Sequence, residues 1–371
     1  MKYVIALLLA VLCIPLRSVP VRAGEEVSVS AQSCILMEAA TGAVLYEKAA
    51  DEKRPMASTT KIMTALLTLE SGGLDEEFIV DDDAIHVEGS SMGLVEHDIV
   101  TKRTLCYGML LPSGNDAAGA AAVAVAGSIE DFAVRMNERA AQIGMTHTCF
   151  VTPSGLDAPG HGASAGDMAL LTREALQNPD FRDICGQVSA RVCFGNPPYE
   201  RTLYNSNKLL GMYDGVIGVK TGFTDDAGRC LVSACEREGV TLICVTLHAS
   251  DDWNDHCRLY DYGFARVRAA VLPAPDITLP VAGGSADTLT LLPEHEVTVG
   301  LCEGCEVTPV RLTPPFVCAP VQAGEVLGVL EYRCGGRLVA RVPLTAADSI
   351  DTVQPERESL WKRLLGLLKG R

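Results

Sequence analysis

Basic residues are scarce in this sequence relative to acidic ones. Its 371 residues include 31 lysines and arginines against 47 aspartates and glutamates, which gives a formal net charge of −16. A protein that binds nucleic acid through its phosphates carries a basic surface, so this composition argues against nucleic acid as a partner. Histidine is rarer still, with seven residues, and none stands in H-E-x-x-H or another metal-ligand spacing. The histidines therefore give no indication of a metal site.

The apolar stretch near the N-terminus is too short to span a membrane stably. It covers residues 3–15, follows Lys2 and precedes a small-residue pattern at 21–23. This order predicts a secretion signal over residues 1–23. A lipoprotein or an uncleaved anchor is a weaker alternative, because Cys13 lies inside the apolar stretch and no acceptable lipobox follows it. We therefore expect an exported protein.

A regular, even set of cysteines is also lacking. The chain has 14 cysteines, of which 13 would remain after removal of the predicted signal. Exported proteins in oxidising surroundings usually carry an even set, so this odd and scattered one predicts free, partly buried thiols. Cys302 and Cys305 form a C-x-x-C, but Cys318 and Cys334 do not supply the second close pair of a zinc ribbon. A structural or incidental role is expected for this pair, ahead of zinc.

Apolar residues make up 48% of the chain, as in a globular protein, and their spacing predicts most elements of the first 265 residues. The dense Gly, Pro and Ser content of 152–167 predicts a loop. The other predicted elements are two strands within 34–48, a helix that opens at Ser58, helices over 104–145 interrupted at 112–114 and Gly127, a helix capped by Asp167, antiparallel strands over 215–247 and a helix over 252–265.

The composition changes beyond Phe264. Short runs of Val, Leu, Thr, Pro and Gly over 270–350 predict a small all-β domain, which we bound as 268–352 after a first domain at 24–267. The last residues, 353–371, include ESLWKRLLGLLKGR, with leucines and Trp361 on one broad face and a local excess of basic residues. Such a helix lies in a membrane interface, so we predict an anchoring tail. The alternative is a helix that packs on its own domain.

Ser58 and Lys61 stand three residues apart at the start of an apolar run, in PMASTTKIMTALLTLE. Taken alone this S-x-x-K is weak, because helices often open on Ser and a Lys in the first turn is usually solvated. Ser359 and Lys362 form a second S-x-x-K in the tail, where no partner motif accompanies them. Whether the first pair has a function depends on its partners.

Two further motifs accompany Ser58 and Lys61. The chain contains one S-x-N, at Ser113-Gly114-Asn115, and one K-T-G, at Lys220-Thr221-Gly222. The three motifs occur in the order helix start, loop between helices, and strand, which is the signature of penicillin-binding proteins and serine β-lactamases. Chance agreement of all three in this order is rare.

The chain resembles the serine-type D-alanyl-D-alanine carboxypeptidases, the low-molecular-mass penicillin-binding proteins that trim peptidoglycan. STTKIMTAL, GSSMGL, LLPSGNDAA, FVTPSGLDAPGH and GVKTGFTDDAG all resemble segments of that family, and the likeness runs from about residue 30 to the C-terminus. The resemblance implies an α/β (α+β) fold of the penicillin-binding and β-lactamase type. In it, helices flank both faces of an antiparallel sheet, next to a helical cluster, with a second small all-β domain and a C-terminal amphipathic helix. It also implies action on the outer face of a bacterial cytoplasmic membrane.

The proposed chemistry starts at Ser58. A covalent route splits amide hydrolysis into acylation and deacylation, and Ser58 would be the nucleophile. Lys61, on the same helical face, would remove its proton, which requires a neutral amine. Burial and a second cation, Lys220, would both favour that neutral form. No metal or organic cofactor is required.

The remaining site residues are assigned by the resemblance. Ser113 would bridge Lys61 and the leaving group and carry the proton to the departing D-alanine, and Asn115 would hydrogen-bond the substrate's backbone amide. Lys220 and Thr221 would bind the C-terminal carboxylate, and Gly222 would let the substrate approach the strand edge. The oxyanion hole would consist of the backbone N–H groups of Ser58 and Phe223, without the Phe223 side chain.

A stem peptide ending in D-Ala-D-Ala is the expected substrate, and β-lactams should acylate Ser58 because they mimic it. A β-lactamase is the main alternative, but the nearest match to its deacylating motif, Glu174 to Asn178, has a misplaced Leu and lies too far beyond Asn115. A non-catalytic penicillin-binding sensor and a transpeptidase are further alternatives. The complete set of motifs argues against the first, and the small size with a C-terminal anchor against the second.

Overall fold

The computed structural model describes residues 27–302 and 305–353. The secretion signal predicted over 1–23 and almost all of the tail predicted over 353–371 lie outside the described residues. These two predictions therefore stay predictions.

Within the described ranges the chain forms strands, α-helices and one 3₁₀ turn at Ala57–Thr60. The strands are β1 Ser33–Glu38, β2 Val44–Lys48, β3 Glu77–Ile79, β4 Ile99–Thr101, β5 Ser189–Gly195, β6 Pro198–Tyr204, β7 Val216–Thr224, β8 Gly228–Arg237, β9 Val240–Leu247, β10 Val267–Val271, β11 Ile277–Ala282, β12 Thr288–Pro293, β13 Thr298–Cys302, β14 Val307–Leu312, β15 Val317–Cys318, β16 Val326–Cys334 and β17 Arg337–Ala346. The helices are α1 Lys61–Glu70, α2 Lys102–Leu110, α3 Asn115–Ala126, α4 Ile129–Ile143, α5 Ala165–Ala175, α6 Pro179–Gly186, α7 Leu209–Met212 and α8 Asp252–Phe264.

A five-stranded antiparallel sheet of order β2-β1-β9-β8-β7 is the centre of the fold. Its two faces are both covered, as alternate residues of β1 show: Ile35 and Met37 pack into the main core with α1 and α5, whereas Leu36 packs against α8 on the opposite face. A strand buried on both faces needs a continuous apolar run, which explains the LICVTL of β9. The predicted sheet with helices on both sides is confirmed.

Helices α1 to α4 form the helical cluster beside this sheet. Helix α1 is buried on nearly all sides, as its apolar sequence requires, and the neighbouring helices surround it. The predicted interruptions over 104–145 are confirmed, since α2 ends at Leu110 and α3 ends at Ala126, where it is capped by Gly127, whose φ of 87° favours glycine. A four-stranded antiparallel sheet, β3-β4-β5-β6, lies alongside.

Two local predictions differ from the structure. Ser58 does not open an α-helix directly but lies in the 3₁₀ turn, and α1 begins at Lys61. Asp167 does not cap the helix that follows the loop, because Ser164 does so by accepting from the Asp167 N–H. The Asp167 carboxylate instead accepts from the His147 N–H and the Thr148 hydroxyl, both at 2.7 Å. Because these donors bind the carboxylate, Asp167 connects the helix to residues 147 and 148 instead of capping it.

Beyond α8, the residues that the structure describes, up to 353, form strands, turns and irregular segments, as predicted for the β-rich part. A six-stranded sheet of order β14-β16-β17-β12-β11-β15 surrounds its own apolar cluster, and β10 pairs with β13. The β16–β17 turn reaches the peptidase part, where Arg337 lies against Gly42. Arg173 on α5 donates to the carbonyls of Ala39 at 2.5 Å and Ala40 at 2.7 Å and, more weakly, to that of Leu338 at 3.4 Å.

No single helix among the described residues is both long and apolar enough to cross a membrane. Helices α3 and α4 satisfy the length and composition criteria only as a pair, and they meet at 83°.

Candidate active site

The 3₁₀ turn holds Ser58 at the start of the buried helix α1. Ala57, the residue before it, has a φ of 48°, a left-handed conformation that a residue with a Cβ adopts only when its surroundings enforce it. Gly155 packs so closely on this turn that a Cβ there would lie 2.0 Å from the Ala57 carbonyl oxygen. The turn is therefore held from outside as well as by its own hydrogen bonds.

Lys61 is fully buried and lies beside Ser58. Its Nζ is 2.8 Å from Ser58 Oγ, 2.7 Å from Asn115 Oδ1 and 2.6 Å from the carbonyl oxygen of Ser154. The amine is thus fixed by three acceptors that come from three separate parts of the chain. The structure brings together Ser58, Lys61 and Asn115, as the sequence predicts.

The surroundings of Lys61 favour its neutral form. Burial lowers the pKa of Lys61 well below its usual value, the Lys220 ammonium lowers it further, and the Asp116 carboxylate opposes both. Burial also lowers the pKa of Lys220, to about 7. A lysine whose ammonium is destabilised in this way can accept a proton from a neighbouring hydroxyl near neutral pH.

Asn115 begins helix α3, and its side chain connects two segments. Its Oδ1 accepts from Lys61, and its Nδ2 donates to the Glu88 carbonyl at 2.5 Å. The next residue, Asp116, was not singled out from the sequence. Its buried carboxylate accepts from the Ser91 hydroxyl and from the backbone N–H groups of residues 92–94. A carboxylate in the first turn of a helix is stabilised by the helix dipole, so Asp116 holds the 88–94 segment beside the site.

Ser113 lies next to this group in an unusual conformation. Its φ is 69°, and the residue is buried. Within the described part of the chain, the Lys61 amine bonds Ser58, Asn115 and Ser154, and the Ser113 hydroxyl is not among its partners. The direct link between Lys61 and Ser113 that the sequence suggested is therefore absent from this arrangement.

The K-T-G residues lie on β7, the edge strand of the central sheet. Lys220 is fully buried and donates from Nζ to the Thr221 carbonyl at 2.9 Å. The Thr221 hydroxyl lies 2.8 Å from that of Ser206, which adds a third polar group at this position. Phe223 follows with its side chain 64% exposed.

Gly222 packs directly on the turn that carries Ser58. A Cβ at this position would lie 3.0 Å from the Ser58 nitrogen and 3.1 Å from the Met56 carbonyl oxygen. The sequence suggested that a glycine leaves room for the substrate. The structure adds a second reason, which is that only glycine lets β7 approach the Ser58 turn this closely.

His161 contacts the same turn, although the sequence analysis gave it no role. Its Nε2 lies 2.9 Å from Thr60 Oγ1, and its Nδ1 accepts from the Val151 N–H at 2.9 Å. The Thr60 hydroxyl in turn donates to the Ala57 carbonyl at 2.9 Å. Burial, assisted by the charge of Lys53, lowers the pKa of His161 to about 4, so the ring is neutral near pH 7. The one sequence signal was its place at the end of FVTPSGLDAPGH.

Within residues 27–302 and 305–353, no group of three His, Cys, Asp or Glu side chains could hold a metal ion.

The sequence is similar to one known family and to several known proteins. Residues 20–251 match the model of the family Peptidase S11, D-alanyl-D-alanine carboxypeptidase. The chain is 30% identical over 342 residues to the D-alanyl-D-alanine carboxypeptidase DacF of Bacillus subtilis, covering 88% of this chain and 87% of that protein. It is 33% identical to DacC of Escherichia coli over 88% of this chain and 86% of that protein.

Two solved structures are similar in fold. Penicillin-binding protein 5 of Haemophilus influenzae superposes with a TM-score of 0.64 at 26% identity, covering 88% of this chain and 99% of that one. The DD-transpeptidase of Streptomyces K15 superposes with a TM-score of 0.62 at 32% identity, over 65% of this chain and all of that one. The superposition on the Haemophilus influenzae protein covers enough of the chain to include the β-rich part. The superposition on the Streptomyces K15 enzyme covers only 65% of the chain.

Proposed function

The chain belongs to the S11 family of D-alanyl-D-alanine carboxypeptidases, as the resemblance predicted, and from this premise we propose how its residues carry out the reaction. The substrate is a peptidoglycan stem peptide that ends in D-Ala-D-Ala, and the reaction removes the terminal D-alanine through an acyl-enzyme on Ser58. The observation that carries this proposal is the 2.8 Å approach of Lys61 Nζ to Ser58 Oγ in surroundings that lower the lysine pKa.

The acylation step begins with neutral Lys61 taking the Ser58 proton. The alkoxide attacks the carbonyl carbon of the penultimate D-alanine, and the negative charge that develops on the oxygen is bound by the backbone N–H groups of Ser58 and Phe223. The C–N bond then breaks, and the departing amine of D-alanine takes a proton that passes from Lys61 by way of Ser113. Water hydrolyses the ester in the second half of the reaction.

The proton route through Ser113 requires a change from the arrangement without substrate. Ser113 does not bond Lys61 there, and catalytic hydrogen bonds often tighten only when substrate is bound. We propose that the leaving amine brings the Ser113 hydroxyl into the chain of hydrogen bonds. Ser113 thus keeps the role that the family resemblance implies.

The edge of β7 provides the substrate subsite. Lys220 and Thr221 bind the terminal carboxylate, with Ser206 supporting the Thr221 hydroxyl. The substrate backbone adds to the open side of β7 at Gly222, as in strand addition to a sheet edge. Asn115 bonds the substrate amide from the opposite wall.

The same geometry supports acylation of Ser58 by β-lactams, which resemble the D-Ala-D-Ala end. No observation favours a β-lactamase, since Glu174 is ion-paired with Arg139 at 2.6 Å at the end of α5.

The proposal also includes export through a signal over 1–23, a division into 24–267 and 268–352, and a membrane-anchoring tail at 353–371. These features together would place the enzyme on the outer face of the cytoplasmic membrane.

The experiment that tests the function measures D-alanine release from a peptide ending in D-Ala-D-Ala by the purified full chain. Ser58→Ala should abolish both release and covalent labelling by a fluorescent penicillin. Ser359→Ala, which removes the serine of the second S-x-x-K, is the matched control and should leave both unchanged. Penicillin labelling that persists in Ser58→Ala would reject Ser58 as the nucleophile. Labelling without release, but with transfer to an added amino-acid acceptor, would assign a transpeptidase.

The tail is tested separately. Deleting residues 356–371 should release the protein from vesicles of anionic lipid, because the segment carries most of the local basic and leucine-rich character. Vesicle binding that is unchanged after the deletion would reject the tail as the anchor.

A further inference from the structure

Three cysteines meet where the β-rich part joins the peptidase part. Cys302 ends β13, Cys334 ends β16, and Cys305 lies just before β14. The Cys305 N–H donates to the Cys302 carbonyl at 3.1 Å, and the pairing of β14 with β16 sets Val307 opposite Cys334. The Cys305 thiol is close enough to the Cys302 and Cys334 thiols to contribute to the raised pKa of each. We refer to Cys302, Cys305 and Cys334 as the thiol cluster.

The thiol cluster differs from the other described cysteines in being both grouped and accessible. All three members are partly exposed, whereas six others are fully buried in the peptidase core, and the two most exposed ones, Cys193 and Cys318, lie on β5 and β15 outside the cluster. Cys302 and Cys305 also line a cavity of about 920 Å³. A small reagent in solution can therefore reach them.

The walls of this cavity are basic in a chain that is acidic overall. Arg266 and Arg268 line it, and Arg337 lies near Cys334. Among the described residues, Glu38 also acts on these thiols, and its carboxylate is already bonded to the Thr41 N–H and hydroxyl. Glu306, which follows Cys305, is exposed to solvent. Cationic side chains attract anionic reagents and favour thiolates, so the cavity suits a small disulfide that carries carboxylates.

A metal site does not fit the same residues. Three thiols leave a tetrahedral zinc site one ligand short, and within the described ranges the cluster does not form a group that could hold a metal. A thiol with two other thiols nearby can instead exchange with a disulfide and then form a bond to one of its neighbours.

We infer that the thiol cluster is a thiol–disulfide exchange site, in which Cys305 reacts with a small carboxylate-bearing disulfide and then bonds to Cys302 or Cys334. This inference goes beyond the proposed peptidase function and does not depend on it. Its geometric basis is the central position of Cys305 between two thiols at the mouth of a basic cavity.

The exchange takes two balanced steps. The Cys305 thiolate attacks one sulfur of the small disulfide, forms a mixed disulfide and releases one small thiolate, which takes up a proton. The thiolate of Cys302 or Cys334 then attacks Cys305 Sγ, forms the intramolecular disulfide and releases the second small thiol. The protein loses two electrons and two protons, and the small disulfide gains them.

The neighbours of Cys305 suit the second step better than the first. Burial, and then the nearby Cys305, raises the pKa of Cys302 to about 11. The same two causes raise the pKa of Cys334. Such thiols react slowly with a reagent in solution but can attack a disulfide that is already in contact with them.

A bond from Cys305 to Cys334 would have a consequence for the contact between the two parts of the chain. It would tie the start of β14 to the end of β16, next to the β16–β17 turn that carries Arg337 against Gly42 and the Leu338 carbonyl near Arg173. A cross-link reduces the freedom of the unfolded chain, so the oxidised form should unfold at a higher temperature than the reduced one.

The test exposes the reduced full chain to mixtures of glutathione and glutathione disulfide, alkylates the remaining thiols and maps the peptides by mass spectrometry. The wild type should lose the alkylation of Cys305 and of one neighbour, in a cross-linked peptide that contains Cys305. Cys302→Ser and Cys334→Ser should each still cross-link Cys305 to the remaining neighbour. The double variant should stop at a mixed disulfide on Cys305.

Cys318→Ser is the matched control, because it removes an exposed thiol outside the cluster, and it should cross-link as the wild type does. Two results would overturn the inference. In the first, Cys305 remains a free thiol, and is still alkylated, at a ratio of glutathione disulfide to glutathione that already modifies Cys318. In the second, Cys305→Ser forms a Cys302–Cys334 cross-link as readily as the wild type forms a cross-link that contains Cys305. Neither readout depends on peptidase activity.

Discussion

The imidazole of His161 and the hydroxyl of Thr60 lie 2.9 Å apart, across 101 residues of chain. Because His161 Nδ1 accepts from the Val151 N–H, the ring proton is on Nε2 and is donated to Thr60. The Thr60 hydroxyl then donates to Ala57, the residue of positive φ before Ser58. His161 thus positions the 3₁₀ turn that carries Ser58, the proposed nucleophile, and it acts through Thr60; we call this turn the nucleophile turn.

Removing this contact should impair acylation more than substrate binding. His161→Ala removes the donor to the Thr60 hydroxyl, which then holds the Ala57 carbonyl without that support. The rate of penicillin acylation at saturation should therefore fall about tenfold or more, while KM for the peptide changes little. His161→Gln can still donate to Thr60 and should restore part of the rate. His147→Gln, at an exposed histidine, is the control and should match the wild type. An unchanged acylation rate in His161→Ala would remove His161 from the site.

His161 should also make the stability of the protein depend on pH. Its pKa is lowered from 6.5 to about 4, so between these values the unfolded chain binds a proton that the folded protein excludes. The free energy of unfolding should therefore decrease as the pH falls through this window, by up to about 3 kcal/mol. Denaturant unfolding of the wild type and of His161→Ala at several pH values isolates this contribution, because the buried His256 affects both proteins equally. Parallel curves for the two proteins would contradict the prediction.

The pH dependence of activity should report Lys220. Its pKa is lowered to about 7 by burial, so the free enzyme loses the ammonium that we propose binds the terminal carboxylate as the pH rises above that value. On the acidic limb of the profile, kcat/KM should rise with pH as Lys61, whose pKa is also lowered, becomes neutral. The measurement compares the D-Ala-D-Ala peptide with its C-terminal amide. The amide should lack the decline above about pH 7, and an equal decline in both would assign that limb to another group.

Gly222 should tolerate no side chain. In Gly222→Ala the new Cβ would lie 3.0 Å from the Ser58 nitrogen, and relief of this contact must move β7 or the nucleophile turn. A shift of a few tenths of an ångström at the oxyanion hole should lower kcat about tenfold or more. Gly211→Ala is the matched control, since a Cβ there meets nothing within 4 Å, and its activity should equal that of the wild type. Equal activity of both variants would show that the close approach is not required.

The sequence determined many of the elements and the identity of the reacting groups. Its apolar patterns predicted the strands of the central sheet, the interrupted helices after residue 104 and the β-rich part, but not the four-stranded sheet β3-β4-β5-β6 or helices α6 and α7. The three motifs predicted that Ser58, Lys61, Asn115 and Lys220 would converge. These features follow from local patterns and from motif order, which do not require knowledge of distant contacts.

The sequence alone did not determine what surrounds those groups. Asp167 is of a residue type that often caps helices, but its carboxylate instead accepts hydrogen bonds from residues 147 and 148. The lowered pKa of Lys61, the support of the turn by His161 and the meeting of Cys305 with Cys334 all arise between segments far apart in the chain. Burial and the distances between charges exist only once the chain has folded, so the tertiary structure alone decided them.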